Sequence, residues 1–319
     1  MRLLSERSER RWPDPLKQSE ATVFHHILII GVGLIGGSLS LALRKSGFSG
    51  KITGIDRDSD VLLRARQLGL IDEAESSIAE AMKSADLVLV AVPVAQTGAV
   101  FAAIQPYLRE NVLLTDVGST KSDVVAAAYR ELGDQIACFI PAHPIAGRER
   151  NGPDAAVDDL FAGKKLVITP LPENAGKDVE KVADLWMQCQ AIIHFLTPEA
   201  HDNIFAAVSH LPHLLSYALV DQVARHTNAD LMFQYAASGF RDFTRIAASS
   251  PEMWRDISMA NRDQLLHELN SYMAGLERLR DMLASGDAVG IEAVYANAQQ
   301  ARLDWTNTIE AAEKQEEAT

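Results

Sequence analysis

Cysteine is scarce in this chain. Only Cys138 and Cys189 occur among 319 residues, and they do not form a paired motif. Such usage is typical of a reducing compartment and argues against a fold held together by disulfides. We therefore expect a cytoplasmic protein, whose apolar residues, 47% of the chain, are enough for large cores.

Positive charge is scarce as well. The chain has 30 lysines and arginines against 43 aspartates and glutamates, a formal net charge of −13. This balance argues against binding to nucleic acid or to an anionic membrane surface. An anionic substrate would have to be bound by cations that the fold places locally.

Long apolar runs are the third absence. No run approaches the roughly 20 residues that a membrane span needs, so we expect no membrane segment. Residues 1–22 are rich in arginine, serine and glutamate and lack the apolar core of a signal peptide. We interpret them as a loosely ordered extension without function.

A glycine motif stands near the N-terminus. An apolar run at 27–30 predicts a buried strand, and Gly31, Gly33 and Gly36 follow it at G-x-G-x-x-G spacing. In this motif the glycines allow a tight turn, the approach of a pyrophosphate to the backbone, and packing of the next helix on the strand. The helix N-terminus then attracts the phosphates. The pattern predicts dinucleotide binding; the alternative is a helix that needs glycine only for packing.

Asp56 indicates which dinucleotide is bound. It ends a second predicted strand, where a carboxylate binds the adenosine ribose hydroxyls and repels a 2′-phosphate. We therefore predict NAD rather than NADP, a preference that Arg57 would soften. The predicted cofactor-binding residues are Gly31, Val32, Gly33, Leu34, Ile35, Gly36, Asp56, Arg57, Val92, Pro93 and Asp116.

Strand-like and helical patterns alternate up to about residue 195. Such alternation predicts a mostly parallel sheet covered by helices. The predicted strands lie near 27–30, 51–55, 86–92, 112–115, 136–140, 165–169 and 191–195. The predicted helices between them lie near 58–68, 76–83, 95–107 and 120–132.

From Thr197 onward the pattern is almost entirely helical. Thr197 suits an N-cap and Pro198 the first helical turn. We predict an α/β chain with an extension at 1–22, a Rossmann-type domain at 23–196 and an all-helical domain at 197–319, whose apolar faces suggest dimerisation. The helices of that domain are predicted near 198–208, 211–226, 229–237, 251–283, 287–297 and 299–315.

Polar, turn-rich segments follow several predicted strands. Ligands in parallel sheets bind beyond the carboxyl ends of the strands, so these segments hold candidate site residues. Ser119 is either such a residue or the N-cap of the next helix. His143 lies between two prolines, in what we expect to be a rigid loop, with no apolar periodicity that would make it part of the core.

The helical region contains a Ser-His-Leu-Pro-His segment. Its two histidines, His210 and His213, lie three residues apart. Histidines at this spacing can ligate a metal, but no third ligand stands at a useful spacing. We therefore predict no metal.

Arginines are dense near residue 245. Arg241, Arg245 and Arg255 stand close together in an acidic protein. The planar fork of arginine suits carboxylates, so we predict that Arg245 binds an anion. The alternative is a solvated basic face whose arginines pair with Asp242 and Asp256.

Taken together, these motifs resemble those of the prephenate/arogenate dehydrogenases of tyrosine biosynthesis. The resemblance runs from about His25 to Glu310. The motifs that carry it are Gly31-x-Gly33-x-x-Gly36, Asp116-Val117-Gly118-Ser119-x-Lys121, His143-Pro144-x-x-Gly147-x-Glu149, Ser209-His210-Leu211-Pro212-His213, Asp242-Phe243-Thr244-Arg245 and Met253-Trp254-Arg255-Asp256.

The resemblance implies a fold and an activity. A Rossmann-type domain precedes a helical dimerisation domain, and the active site lies between them. The enzyme oxidatively decarboxylates prephenate to 4-hydroxyphenylpyruvate, or arogenate to tyrosine, with NAD as cofactor. Tyrosine inhibition, if present, would be competitive at the active site, since no extra regulatory domain is evident.

The resemblance also implies roles for single residues. His143 takes the proton from the ring hydroxyl, and Ser119 bonds the same hydroxyl near the nicotinamide. Arg245 anchors a substrate carboxylate. The predicted substrate-binding residues are His213, Arg245, Ser209 and Glu149. Arg148 departs from the family pattern, which leaves the orientation of Glu149 open.

Three alternatives remain open at this stage. An arogenate or dual-specificity cyclohexadienyl dehydrogenase would carry the same motifs. A dinucleotide-sensing interaction protein would need neither His143 nor Arg245. A 3-hydroxy-acid or 6-phosphogluconate type dehydrogenase usually places a catalytic lysine in the helical domain, and residues 198–313 contain no lysine.

Overall fold

We describe the fold from a computed structural model of the chain, in which residues 24–148 and 150–316 are described, with side chains to residue 308. The chain divides into two compact units, 1–265 and 266–319. The expected extension at 1–22 and Glu149 lie outside the described residues. The first unit holds every other candidate site residue.

The first unit contains a six-stranded parallel sheet. Its strand order is β3-β2-β1-β4-β5-β6, the Rossmann order of two mononucleotide-binding halves. The predicted α/β Rossmann-type class, with helices following it, is thereby confirmed. The strands of this sheet are β1 (His26–Ile30), β2 (Lys51–Ile55), β3 (Glu73–Ala74), β4 (Leu87–Val90), β5 (Leu113–Asp116) and β6 (Phe139–Ile140).

A second sheet, of three strands, follows the first along the chain. It consists of β7 (Ala142–Pro144), β8 (Lys165–Ile168) and β9 (Ile192–Phe195) in the order β7-β8-β9, with β7 antiparallel to β8. The mostly parallel sheet is confirmed by the first six strands, whereas the strands predicted near 165–169 and 191–195 belong to this second sheet. Pro141 has no N–H to donate to a ladder and separates β6 from β7.

The helices of the first unit cover the sheets and continue into the helical region. Those before residue 197 are α1 (Leu34–Lys45), α2 (Ser59–Gln67), α3 (Ile78–Ala81), α4 (Thr97–Ile104), α5 (Ser122–Leu132) and α6 (Gly176–Gln188). Those after it are α7 (Pro198–Phe205), α8 (Leu211–Ala224), α9 (Ala229–Gln234), α10 (Ser238–Thr244) and α11 (Pro251–Ala260). The next helix, α12 (Arg262–Ser285), runs into the second unit, which also contains α13 (Ala288–Glu316).

Several predicted elements differ in the structure. Residues Gly133–Cys138, expected to begin a strand, form a 3-10 helix. The helix expected at 251–283 is two helices separated at Asn261, and those expected at 287–297 and 299–315 are the single helix α13. Thr197 caps α7 as predicted, because its hydroxyl accepts the N–H of Ala200 at 3.2 Å.

The core lies on both faces of the large sheet. Successive residues of β1 point to opposite faces: Ile27 and Ile29 join one apolar cluster, while Leu28 and Ile30 join the other. Strands buried on both faces read as continuous apolar runs, which is why periodicity located them. The same layering brings the carboxyl ends of β1, β2, β4 and β5 to one edge.

One segment bears on the expectation about membranes. Pro198–Ala224, which spans α7 and α8, is 27 residues long, and an 18-residue window within it has a mean hydropathy of 1.2. By length and composition alone this helix could cross a membrane, but it contains no uninterrupted apolar run near 20 residues. Polar residues interrupt its apolar stretches. Two of them, His201 and Asp202, are buried and bonded within the first unit, as described below.

Candidate active site

The glycine loop after β1 leaves room for a phosphate. Gly31 has φ of +96°, and a side chain there would collide with the carbonyl of Ala91. A side chain on Gly36 would meet the Gly31 carbonyl and Ile29. Beside Gly33, in contrast, nothing lies within 4 Å of where a Cβ would stand. The loop therefore has the shape that a pyrophosphate at the N-terminus of α1 requires.

Asp56 lies beside this loop at the end of β2. Its Oδ2 accepts the N–H of Val32 at 3.1 Å, and its Oδ1 accepts the N–H of Asp58 at 3.1 Å. The carboxylate is thus fixed next to the turn at the carboxyl edge of the sheet. It is only partly buried, so it remains open to a ribose.

The end of β4 supplies two other predicted cofactor residues. Val92 is half-buried and Pro93 is exposed, and the residues Val94–Gln96 form a short 3-10 turn after them. Helix α11 contacts this turn, so the helical region adjoins the cofactor edge of the sheet.

Asp116, at the end of β5, faces inward. Its carboxylate accepts from Lys121 Nζ at 2.5 Å, from the N–H of Gly118 at 2.8 Å and from the N–H of Ala142 at 3.0 Å. Both Asp116 and Lys121 are essentially unexposed. This side chain therefore ties β5 to β7, while the cofactor contact at Asp116 stays a prediction; breaking such a buried pair costs about 3–5 kcal/mol.

Ser119 lies in the loop that this pair holds. The loop runs from β5 to α5, which begins at Ser122, so the alternative that Ser119 caps the helix is wrong. Ser119 is partly exposed, and its backbone is hydrogen-bonded to His210 of the helical region. The loop thus connects the sheet edge with the Ser-His-Leu-Pro-His segment.

His143 lies in strand β7 rather than in a loop. Its position is set by pairing with Val167 of β8, and Lys121 Nζ donates to the carbonyl of the preceding Ala142 at 2.8 Å. Burial, together with the charges of His201 and Lys121, lowers the pKa of His143 well below its usual value. His143 is therefore neutral at neutral pH and can accept a proton.

His143 is contacted by His201, and His201 by Asp202, two residues that the sequence motifs did not include. His201 Nε2 lies 2.8 Å from His143 Nδ1, and His201 Nδ1 lies 2.8 Å from Asp202 Oδ1. Phe205, one turn further along α7, packs against both imidazole rings. His201 and Asp202 belong to no local motif, and only tertiary contact identifies them.

A π-helical segment, Ala206–His210, joins α7 to α8. Such segments are frequent at functional sites because they rotate the side chains that follow. Asn261 lies between α11 and α12. Its side-chain Nδ2 is 3.1 Å from His210 Nδ1 and also donates to the carbonyl of Asp202 at 2.8 Å. Burial lowers the pKa of His210 to about 4.

His213 lies one turn into α8. Its Nδ1 is 2.9 Å from the carbonyl of Ser209, and its ring stacks on Trp254 with centroids 3.4 Å apart. Burial lowers its pKa, and the charge of Arg245 lowers it further. The 3-10 turn that begins at Arg245 packs against α8, so His213 and Arg245 lie on neighbouring elements, as a shared ligand would require.

Two other charged side chains near the predicted site residues in sequence are paired with neighbours. Arg255 contacts Asp256 at 2.6 Å, which agrees with the alternative of a solvated face for that arginine. Asp154, a carboxylate near Glu149 in sequence, pairs with Arg64 of α2 at 2.5 Å. Within the described part of the chain, no group of three or more metal-ligating side chains occurs.

The fold and the site are those of a dinucleotide-dependent dehydrogenase, with a neutral histidine on β7 and an arginine in the helical region. Comparison with known proteins gives the family. Residues 39–195 match the nucleotide-binding domain of prephenate dehydrogenase, and residues 197–295 match its dimerization domain. The chain belongs to the prephenate dehydrogenase family.

Individual relatives agree with this assignment. A cyclohexadienyl dehydrogenase from Zymomonas mobilis is 37% identical, over 88% of this chain and 96% of that protein. A prephenate dehydrogenase from Bacillus subtilis is 35% identical, over 86% of this chain and 75% of that protein. The crystal structure of the Aquifex aeolicus prephenate dehydrogenase with hydroxyphenyl propionate and NAD+ has a TM-score of 0.84 at 34% identity, covering 89% of this chain and 99% of that one.

These findings confirm the predicted family and enzyme class. The chain is an oxidoreductase with a nucleotide-binding domain and a dimerization domain. The interpretation as a non-enzymatic sensor is set aside, because relatives at 35–37% identity over most of the chain are dehydrogenases.

Proposed function

We propose that this protein catalyses the NAD-dependent oxidative decarboxylation of prephenate to 4-hydroxyphenylpyruvate. The observation that carries the proposal is the neutral, partly exposed His143, held on β7 in the same unit as the open glycine loop and the His213–Arg245 group. A base, a dinucleotide cradle and a cation are the three features that this reaction needs.

His143 begins the reaction by accepting the proton of the ring hydroxyl. The carbon that carries this hydroxyl then loses a hydride, for which bound NAD supplies the acceptor. The resulting ring ketone is conjugated to the carbon that bears the carboxylate, so the ring takes up the electron pair as carbon dioxide leaves. Aromatisation drives this loss. General-base catalysis of this kind contributes about 10²–10⁴-fold.

The helical region holds the substrate. Arg245 binds a carboxylate through its planar fork, and His213, fixed by Ser209 and Trp254, lies next to it. Ser119 bonds the ring hydroxyl beside the nicotinamide. Glu149 remains a predicted substrate-side residue outside the described part of the chain.

Arogenate is the second candidate substrate. The Zymomonas mobilis relative is a cyclohexadienyl dehydrogenase, which keeps this alternative in view. Arogenate has an ammonium group where prephenate has a keto group, and a carboxylate beside it would favour arogenate. Asp154 is paired with Arg64, which supports prephenate as the preferred substrate.

Initial rates test the choice of substrate and the choice of cofactor in one experiment. Each substrate is assayed with NAD and with NADP, and we expect the highest kcat/KM for prephenate with NAD. A highest kcat/KM with arogenate would reverse the substrate assignment.

A second experiment tests the base. His143→Asn should lower kcat about 10²–10⁴-fold while the Kd for NAD stays unchanged. His25→Asn, the same substitution at an exposed histidine before β1, is the matched control. Wild-type turnover in His143→Asn would show that His143 is not the base.

The proposal extends to assembly and location. The enzyme is a cytoplasmic homodimer, with no nucleic-acid or membrane partner, and tyrosine competes for the active site. Its domains are the extension 1–22, the Rossmann-type domain 23–196 and the helical domain 197–319. The net charge of −13 and the two unpaired cysteines support this location.

A further inference from the structure

Three side chains form a line that ends at the base. His143 Nδ1 lies 2.8 Å from His201 Nε2, and His201 Nδ1 lies 2.8 Å from Asp202 Oδ1. His201 is 0% exposed and Asp202 is 3% exposed, whereas part of His143 remains open. Only the first member of the line can therefore reach a substrate.

Asp202 sets the direction of its hydrogen bond with His201. Its Oδ1 accepts the N–H of Lys121 at 2.8 Å, and its Oδ2 accepts the N–H of Ser122 at 2.7 Å. Burial alone would raise its pKa, but the bonds from His201 and from these two residues lower it overall. Asp202 is therefore an ionised carboxylate at the N-terminus of α5, and it can only accept hydrogen bonds.

The direction of this hydrogen bond in turn determines which nitrogen carries the proton in His201 and then in His143. Because Asp202 only accepts, the proton of neutral His201 must be on Nδ1, and its Nε2 carries a lone pair. That lone pair faces His143 Nδ1, so His143 must carry its proton on Nδ1. The Nε2 of His143 is left unprotonated. Burial lowers the pKa of both histidines, so the argument holds at neutral pH.

We propose that His201 and Asp202 are positioning residues that fix the tautomer of His143, so that its Nε2 is the atom that takes the substrate proton. This inference rests on the proposed function, in which His143 is the base. In that step the O–H bond of the ring hydroxyl breaks and an N–H bond forms at Nε2. His143 then carries a positive charge, and its Nδ1–H still donates to His201, behind which lies the negative charge of Asp202.

A purely structural role is the competing explanation. In that explanation Asp202 caps α5, the histidine rings pack with Phe205, and the line serves only to join α7 to the sheet. The two explanations differ in what His143 Nδ1 requires. Tautomer control needs an acceptor opposite Nδ1, whereas packing needs only a side chain of suitable size.

Two substitutions at one position separate these requirements. His201→Gln offers an amide oxygen to His143 Nδ1, and His201→Leu offers similar bulk without an acceptor. We expect His201→Leu to lower kcat about 10²-fold with an unchanged Kd for NAD, and His201→Gln to recover most of the loss. Equal losses in both variants, or wild-type kcat in His201→Leu, would overturn the proposal.

Nitrogen-15 NMR of histidine-labelled wild-type protein gives a readout that does not depend on activity or on the stability of a variant. The signal of His143 is assigned by its absence in His143→Asn. We expect Nδ1 to be protonated and Nε2 to be unprotonated at neutral pH, and the opposite tautomer would refute the proposal.

The same data distinguish failure of the inference from failure of the proposed function. If wild-type His143 shows the expected tautomer but His143→Asn keeps its turnover, the assignment of the base is wrong. If His143→Asn is inactive but the tautomer is reversed, the base stands and the positioning role of His201 and Asp202 is wrong.

Discussion

At the scale of single residues, the site is built from polar groups whose partners lie far apart in the chain. Asp202 binds the backbone of residues 121 and 122, and Asn261 binds both the Asp202 carbonyl and His210. These hydrogen bonds join buried polar groups to partners that the sequence does not place beside them. Such networks are rigid, because a partner that is lost leaves an unsatisfied group.

Arg245 should anchor the substrate. Arg245→Ala should raise the KM about 10- to 100-fold, since hydrogen bonds to charged groups contribute about 1.5–3 kcal/mol each. Arg245→Lys should recover part of the loss, because lysine lacks the planar fork. Steady-state kinetics and melting temperature are measured together, with Arg225→Ala, a surface arginine paired with Asp221, as control. A lower Tm with a normal KM would mean that Arg245 only stabilises the helical region.

Asp56 should exclude NADP through its charge. Asp56→Asn keeps an oxygen that can accept the N–H of Val32 and removes the negative charge. The ratio of kcat/KM for NADP to that for NAD should rise at least about tenfold, equivalent to about 1.4 kcal/mol. Equal efficiencies of the wild-type enzyme with both cofactors would refute the prediction.

At the scale of elements, the carboxyl ends of parallel strands determine where the site forms. The loops after β1, β2, β4 and β5 meet at one edge of the sheet because these strands are neighbours and parallel. Gly31 and Gly36 allow the first loop to pack, while Gly33 leaves open space. Substitutions at these glycines can therefore separate a role in packing from a role in binding.

Two alanine substitutions in this loop should have different effects. Gly36→Ala would force a methyl group against Ile29 Cγ2 at 2.8 Å and should destabilise the protein by about 1–3 kcal/mol. Gly33→Ala meets no protein atom within 4 Å, so its Tm should stay near wild type. Its Kd for NAD should nevertheless rise about tenfold or more, because the methyl group occupies phosphate space. Calorimetry measures both, and wild-type NAD affinity in Gly33→Ala would exclude a phosphate at that position.

At the scale of the whole molecule, apolar side chains remain exposed in the second unit. Examples are Met273 and Leu276 of α12, each about half exposed. Large exposed apolar patches mark interaction sites, and residues 197–295 match a dimerization domain. A second copy of the chain is the partner that this family match supports.

The dimer should dissociate when this surface is charged. Met273 and Leu276 lie three residues apart on one helix face, so the double substitution Met273→Asp and Leu276→Asp places two charges together. Light scattering should give twice 34.8 kDa for wild type and 34.8 kDa for the variant. Leu63→Asp, at an equally exposed leucine of α2, should leave the dimer intact. A wild-type particle of 34.8 kDa at micromolar concentration would refute the prediction.

Acid should destabilise the folded enzyme. Burial lowers the pKa of His210 to about 4, whereas an unfolded histidine titrates near 6.5. Below pH of about 6.5 the unfolded chain binds a proton that the folded chain does not, so stability falls with pH until about 4. Urea unfolding at pH 7 and pH 5 should show a loss about 2 kcal/mol smaller in His210→Asn than in wild type. An equal loss in both proteins would contradict this origin.

Much of the fold follows from local sequence pattern. Apolar runs, glycine spacing and the caps at Asp58 and Thr197 act within a few residues, so the strands and helices around the cofactor edge were predictable. The second sheet was not predictable, because the pairing of β7 with β8 joins segments about 20 residues apart. The continuity of α13 was not predictable either. Its sequence pattern weakens between the two predicted helices, although the backbone helix continues there.

The sequence by itself determined the dinucleotide motif, the family and the identity of His143 as the candidate base, because these depend on residue type and spacing. Only the tertiary structure decided that Asp116 pairs with Lys121, that α5 begins after Ser119, and that His201 and Asp202 stand behind His143. The physical reason is that hydrogen bonds between distant segments carry no local periodicity. A buried histidine on a helix looks the same in sequence whether it fills the core or orients a base.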